Sequence, residues 1–146
     1  MILMLETQNL ITNTFLLILA ILLSSIIGIE REFRHKPAGL RTHVLVCLGS
    51  CLLILVSTRV IDNTRVIQGI VTGIGFVGAG TIIAQRKEVI GITTAASIFF
   101  VAVLGIIIGF GEIGLAFIST ILALLVLKYF KIVEEKIKEK SKRNKK

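Results

Sequence analysis

Tryptophan is absent from this sequence, proline and aspartate occur once each, and only 18% of the residues carry charge. Soluble domains hold about a quarter of their residues as charge and 45–50% as apolar types. An apolar content of 54% with a mean hydropathy of +0.90 therefore excludes a soluble catalytic domain. No Lys or Arg precedes Arg31, and Gly28-Ile29-Glu30 is a poor small-residue cleavage site. Both absences argue against a secretory signal peptide, so the first apolar run is expected to remain as a helix. No His or acid stands at ligand spacing beside Cys47 and Cys51, one helical turn apart. Zinc is thereby disfavoured, and the pair reads as two small, polarizable core residues. The apolar runs also lack carboxylates: Glu30, Asp62 and Glu112 all lie at run ends. Intramembrane hydrolysis needs a nucleophile with its base, or paired acids, inside the helices. No enzyme is expected, and neither is a cofactor; no metal-ligand set can be assigned.

What the chain does have is long apolar runs. About 18 such residues in a helix cross 30 Å of hydrocarbon. The runs are Leu10 to Ile29, Val44 to Val60, Val66 to Ala84, Val89 to Phe110, and Ile113 to Leu127. They predict an all-α polytopic membrane protein of about five transmembrane helices, one domain over 1–130 followed by a basic tail over 131–146. The first connection, with Arg31, Arg34, Lys36 and Arg41, the third, with Arg86 and Lys87, and the tail from Lys128 together carry 15 basic residues; Arg59 and Arg65 are the remaining two. Basic loops stay in the cytoplasm. The N-terminus is therefore expected outside and the C-terminus inside.

The net charge of +8 comes mostly from Lys131 to Lys146. Tethered at a bilayer, that tail meets anionic head groups, at about 1 kcal/mol per Lys or Arg. It has little aromatic content for stacking bases, so nucleic acid is not the expected partner. Phe130, Val133 and Ile137 follow helical spacing, which extends the last helix amphipathically along the surface.

Several motifs sit on or between the spans. Gly73-Ile74-Gly75-Phe76-Val77-Gly78 has the form of a dinucleotide fingerprint. It lies inside an apolar span, without the strand and the later acid that such a site requires. The favoured reading is helix packing through Gly69, Gly73, Gly75, Gly78 and Gly80, with a broken, site-forming helix as the alternative. Gly105 and Gly109 repeat the spacing in the fourth span. Thr93, Thr94 and Ser97 place hydroxyls at the start of that span, for backbone bonds or for a hydrated lining. In the first hinge Glu30 and Arg34 can pair at i, i+4, Pro37 and Gly39 turn the chain, and Arg41-Thr42-His43 begins the next helix. Paired charge at a helix end is an ordinary interfacial anchor; a docking or gating element is the functional reading. His35 and His43 there are hydrogen-bonded or solvated groups, with pH sensing as the alternative.

Taken together, Gly28 to Glu32, Lys36 to His43, Asp62 with Arg65, Gly73 to Gly80 and Gly91 to Ala96 resemble the transmembrane domain of the MgtC/SapB family, in order and in spacing over about residues 10–127. Longer members carry a soluble C-terminal domain, and this chain looks like the short, SapB-like form. The resemblance implies a bacterial cytoplasmic-membrane protein tied to survival in low magnesium and, in pathogens, within macrophages. It implies a modulator with membrane-protein partners such as an ATP synthase subunit, and a homo-oligomer is open. The alternative is a transporter of magnesium or another solute. Magnesium wants carboxylate oxygens in octahedral array, and a path for it should show acids within the spans. Their absence favours regulation. The candidate functional residues are Glu30, Arg31, Arg41, Thr42, His43, Asp62, Arg65, Thr93 and Thr94.

Overall fold

The computed structural model describes the backbone of residues 2–57, 63–85, 88–130, 133, 136 and 137, and the side chains of these from residue 9 onward except those of 83–89. Among them, five long helices follow in order: α1 (Ile2–Phe33), α2 (Leu40–Ser57), α3 (Thr64–Gly80), α4 (Ile92–Gly109) and α5 (Ile113–Leu125), the last continued by a π-helical turn over Val126–Phe130. Four helical segments, in α1, α2, α4 and α5 with its extension, are long and apolar enough to cross a membrane. The fold is that of an all-α polytopic membrane protein, and large apolar side chains cover its outside as a lipid-facing surface requires, Phe76 being 84% exposed.

Helix α4 is the axis. It touches all four other helices, most extensively α2, and buries residues over more than half of its circumference. Ile98, Val101, Leu104 and Ile108 are buried completely. One apolar cluster joins Leu19, Leu23 and Ile27 of α1 to Cys47 and Cys51 of α2, Leu104 of α4 and Ala116 of α5; a second joins Ile54, Ile70, Ala102 and Ile106. The two cysteines are free and buried at the α2–α4 interface. There Gly105 and Gly109 bring the helices together. A Cβ at Gly109 would lie 2.7 Å from Ile54 Cβ, and one at Gly105 would strike the Cys47 carbonyl.

Two helix ends are closed by the same device. After α1, His35 N–H donates to Glu32 O and Lys36 N–H to Arg31 O; after α4, Gly111 N–H donates to Ile108 O and Glu112 N–H to Ile107 O. These are Schellman closures with a left-handed residue at the turn. Gly111 takes φ 82° without strain, and His35 takes 51° despite its side chain.

The third and fourth spans differ from the expected bounds. Helix α3 stops at Gly80 rather than reaching Ala84, and α4 starts at Ile92 rather than Val89. Between them β1 (Ile83–Gln85) and β2 (Glu88–Ile90) pair antiparallel, with Ile83 opposite Ile90 and Gln85 opposite Glu88. β-Branched residues flanking a two-residue gap favour a hairpin, and apolar content alone does not separate a short strand from the end of a helix. Gly91, at φ 99°, closes the excursion, and a Cβ there would strike the Thr81 carbonyl.

Candidate functional site

The charged hinge folds back onto the beginning of α4. The α1–α2 hairpin is tight because Gly28 faces α2: a Cβ there would come within 2.8 Å of Leu40 Cα. Gly39 has no room either, since its added Cβ would land on the Glu32 carboxylate. That carboxylate caps the next helix by accepting from Leu40 N–H at 3.0 Å.

Within this corner the ionisable groups sort by depth. Arg34 pairs with Glu30 one turn earlier, and Arg31 Nη1 lies 3.7 Å from the other Glu30 oxygen. Arg31 itself is only 2% exposed. Its Nη2 donates to Thr94 Oγ1 at 3.3 Å, while its Nε is buried with no hydrogen-bond partner among the described residues. His43, fully buried, stands between α1 and α4. Its Nδ1 lies 2.8 Å from the Gly39 carbonyl and its Nε2 lies 3.0 Å from Ser97 Oγ, which in turn donates to the Thr94 carbonyl at 2.8 Å. A carbonyl only accepts, so Nδ1 carries a proton. Ser97 has a single proton to give. If it goes to Thr94 O, Nε2–H must donate to Ser97 and the imidazole is a cation; if it turns to Nε2, the imidazole is neutral. The two arrangements differ by one proton on His43.

Glu30, Arg31, His43 and Thr94 thus meet at one corner, tied to α4 across 63 and 54 residues of chain. Ser97, absent from the candidate set though its hydroxyl was noted with those of Thr93 and Thr94, completes the corner. Gly28, Glu32 and Gly39 position it; they lie in the Gly28 to Glu32 and Lys36 to His43 motifs but not among the candidate residues. Thr93 points elsewhere, into a cleft with Ile27, Phe100 and Ser119. Arg41 is exposed and Thr42 half-buried, neither joined to the corner. Arg65 lies in the first turn of α3, toward the opposite end of the bundle, and Asp62 falls outside the described residues. Arg59, Arg86, Lys87 and most of the basic tail fall outside them too.

The glycines of α3 divide. Gly78 packs on Ala95 of α4, where an added Cβ would make ordinary contact at 3.6 Å. Around Gly69, Gly73, Gly75 and Gly80 an added Cβ would meet nothing within 4 Å of the protomer. Gly69 and Gly73 line an open groove between α2 and α3 with Gly49 and Ser50.

Comparison with known proteins agrees with this architecture. The MgtC family sequence model matches residues 17–136. YhiD of Escherichia coli K12 is 41% identical over 125 residues, covering 78% of this chain and 58% of YhiD. Protein SrpB of Synechococcus elongatus is 38% identical over 135 residues, covering 81% of this chain and 74% of SrpB. Protein MgtC of Brucella abortus is 42% identical over 110 residues, covering 73% of this chain and 46% of that protein. The chain thus spans roughly half to three quarters of the length of these relatives. No solved structure matches it. With 17–136 inside the family match, and the hinge and the α4 start that carry its motifs joined in one buried corner, the chain belongs to the MgtC family.

Proposed function

We propose that this protein is a regulator in the bacterial cytoplasmic membrane, adjusting ion homeostasis or membrane energetics when magnesium is scarce, and that the hinge between α1 and α2 is the surface it offers a membrane-protein partner. The N-terminus lies outside and the C-terminus in the cytoplasm. The observation that carries this reading is the buried guanidinium of Arg31. A fixed cation at the inner end of the bundle opposes a passing divalent cation, and Arg31 and Arg34 together neutralise Glu30, the acid best placed to receive one. The same guanidinium fastens α1 to α4, so a pull on the hinge reaches the core. Neither hydrolysis nor group transfer has a place in this scheme.

YhiD carries a provisional magnesium-transporter designation, which supports transport as the second reading. Magnesium flux into proteoliposomes holding only this protein separates the two. Regulation predicts no saturable uptake, before or after Asp62→Asn, together with impaired growth in low magnesium for Arg31→Gln. Saturable uptake by the wild type, lost in Asp62→Asn, would establish transport.

A further inference from the structure

A second feature lies at the same end of the bundle, on the outer face of α1. Ile26, Ile29, Glu30, Phe33 and Arg34 recur at i, i+3, i+4, i+7 and i+8, which is one face of a helix. Ile121, Leu124, Leu125, Lys128 and Tyr129 repeat that spacing at the end of α5. The two stripes form the walls of a groove of about 520 Å³ between the helices. Each stripe is apolar inward and polar at its end. From Ile121 to Lys128 is about 10 Å at 1.5 Å per residue. The polar mouth therefore stands where the spans Asn9–Phe33 and Ile113–Phe130 finish, and the apolar floor runs into the membrane.

We propose that this groove binds an anionic phospholipid, its phosphate between Arg34 and Lys128 beside the Tyr129 hydroxyl and its acyl chains along the apolar floor. Charge decides for an anion. Both helices present C-terminal carbonyls here, each end equivalent to roughly half a negative charge, and these oppose it. The three cations Arg31, Arg34 and Lys128 outweigh them and Glu30 together. Glu30, the single acid in the lining, is already engaged by Arg34 and Arg31. Lys128 is exposed and makes no ion pair among the described residues. Tyrosine with a basic neighbour is the usual interfacial pairing, one end apolar and the other wet. The π-helical turn begins at Val126 and contains both Lys128 and Tyr129, and such turns recur at functional positions. A soluble phosphate would leave the apolar floor unfilled, whereas a lipid fills both levels.

Native mass spectrometry of the full chain with phosphatidylglycerol or phosphatidylcholine tests the site. Two cations at the headgroup should give the wild type a preference of about thirtyfold for phosphatidylglycerol. Lys128→Gln should lower that preference about fivefold, while Lys36→Gln, an exposed lysine outside the groove, leaves it unchanged. Leu125→Trp, which fills the floor without altering charge, should abolish the preference. It guards against misfolding of the Lys128 variant, as does unchanged helical circular dichroism in each. The proposal is overturned by equal affinity for the two lipids, by a preference undiminished in both groove variants, by a preference lost in Lys36→Gln, or by inorganic phosphate that binds the groove and displaces the lipid.

Discussion

Ser97 and Thr93 look alike in sequence, two hydroxyls on the first turns of α4, yet the structure gives them different tasks. Both line one open cleft, but Ser97 also turns its hydroxyl to His43, a bond that Thr93 does not share. Ser97→Ala leaves His43 Nε2 buried without a partner, a loss of about 1–3 kcal/mol, and thermal unfolding in detergent should record it. Thr93→Ala should fall within about 0.5 kcal/mol of wild type. Equal effects from the two substitutions would remove the His43–Ser97 bond from the account. The types of residue gathered here were legible from the chain: paired charge, a turn with Pro37 and Gly39, hydroxyls at a helix start. Which hydroxyl meets which base was not. Arg31 and Thr94 lie 63 residues apart, and local spacing says nothing about a contact made by helix crossing.

Helices reveal themselves by apolar length, and the cores of all five were readable on that basis. Their ends were harder, because ends are set by backbone conformation. The hairpin between α3 and α4 shows this: Ile82, Ile83, Val89 and Ile90 extend the apolar runs in sequence, while Gly91 and the pairing of β1 with β2 take Ile83–Gln85 and Glu88–Ile90 out of the helices. At the end of α1, His35 occupies a left-handed position that costs a β-carbon-bearing residue energy. His35→Gly should therefore raise stability by about 0.5–1 kcal/mol in the same unfolding assay; a loss would show that the imidazole makes a compensating contact. The close contact of α2 and α4 allows a test of opposite sign. Gly105→Val puts bulk against the Cys47 carbonyl and should destabilise by at least the 1–3 kcal/mol usual for overpacking.

The packing directions describe the whole bundle. Arg34 and Lys128 share one mouth, so α1 and α5 run the same way; Gly78 meets Ala95 while Ile70 clusters with Ala102 and Ile106, so α3 runs against α4. Helix α3, at 17 residues, is about 25 Å long and lies alongside a helix long enough to cross. Five crossings follow if it spans with its neighbour. Cysteines placed at Gln8 and Lys145 should then be labelled from opposite faces, and labelling from one face would reduce the count to four. The outward glycines of α3 offer a separate test. A Cβ at Gly73 meets nothing within 4 Å and the groove beside α2 is open, so Gly73→Leu should leave the protomer's unfolding temperature unchanged. A smaller oligomer by light scattering would identify that face as a subunit contact, and an unchanged mass would assign it to lipid.

The tie between Arg31 and Thr94 also sets an order of events during synthesis. A ribosome adding about 5–20 residues per second delivers Thr94 several seconds after Arg31 has reached the bilayer. For that interval the guanidinium has no hydroxyl to hold it below the surface, and it must stay among the head groups with α1 riding high. Only when α4 enters can α1 settle to its final depth. The first helix inserted is thus among the last to be seated, and a nascent chain arrested before Ile92 should expose residues of α1 to water-soluble reagents that the finished protein conceals.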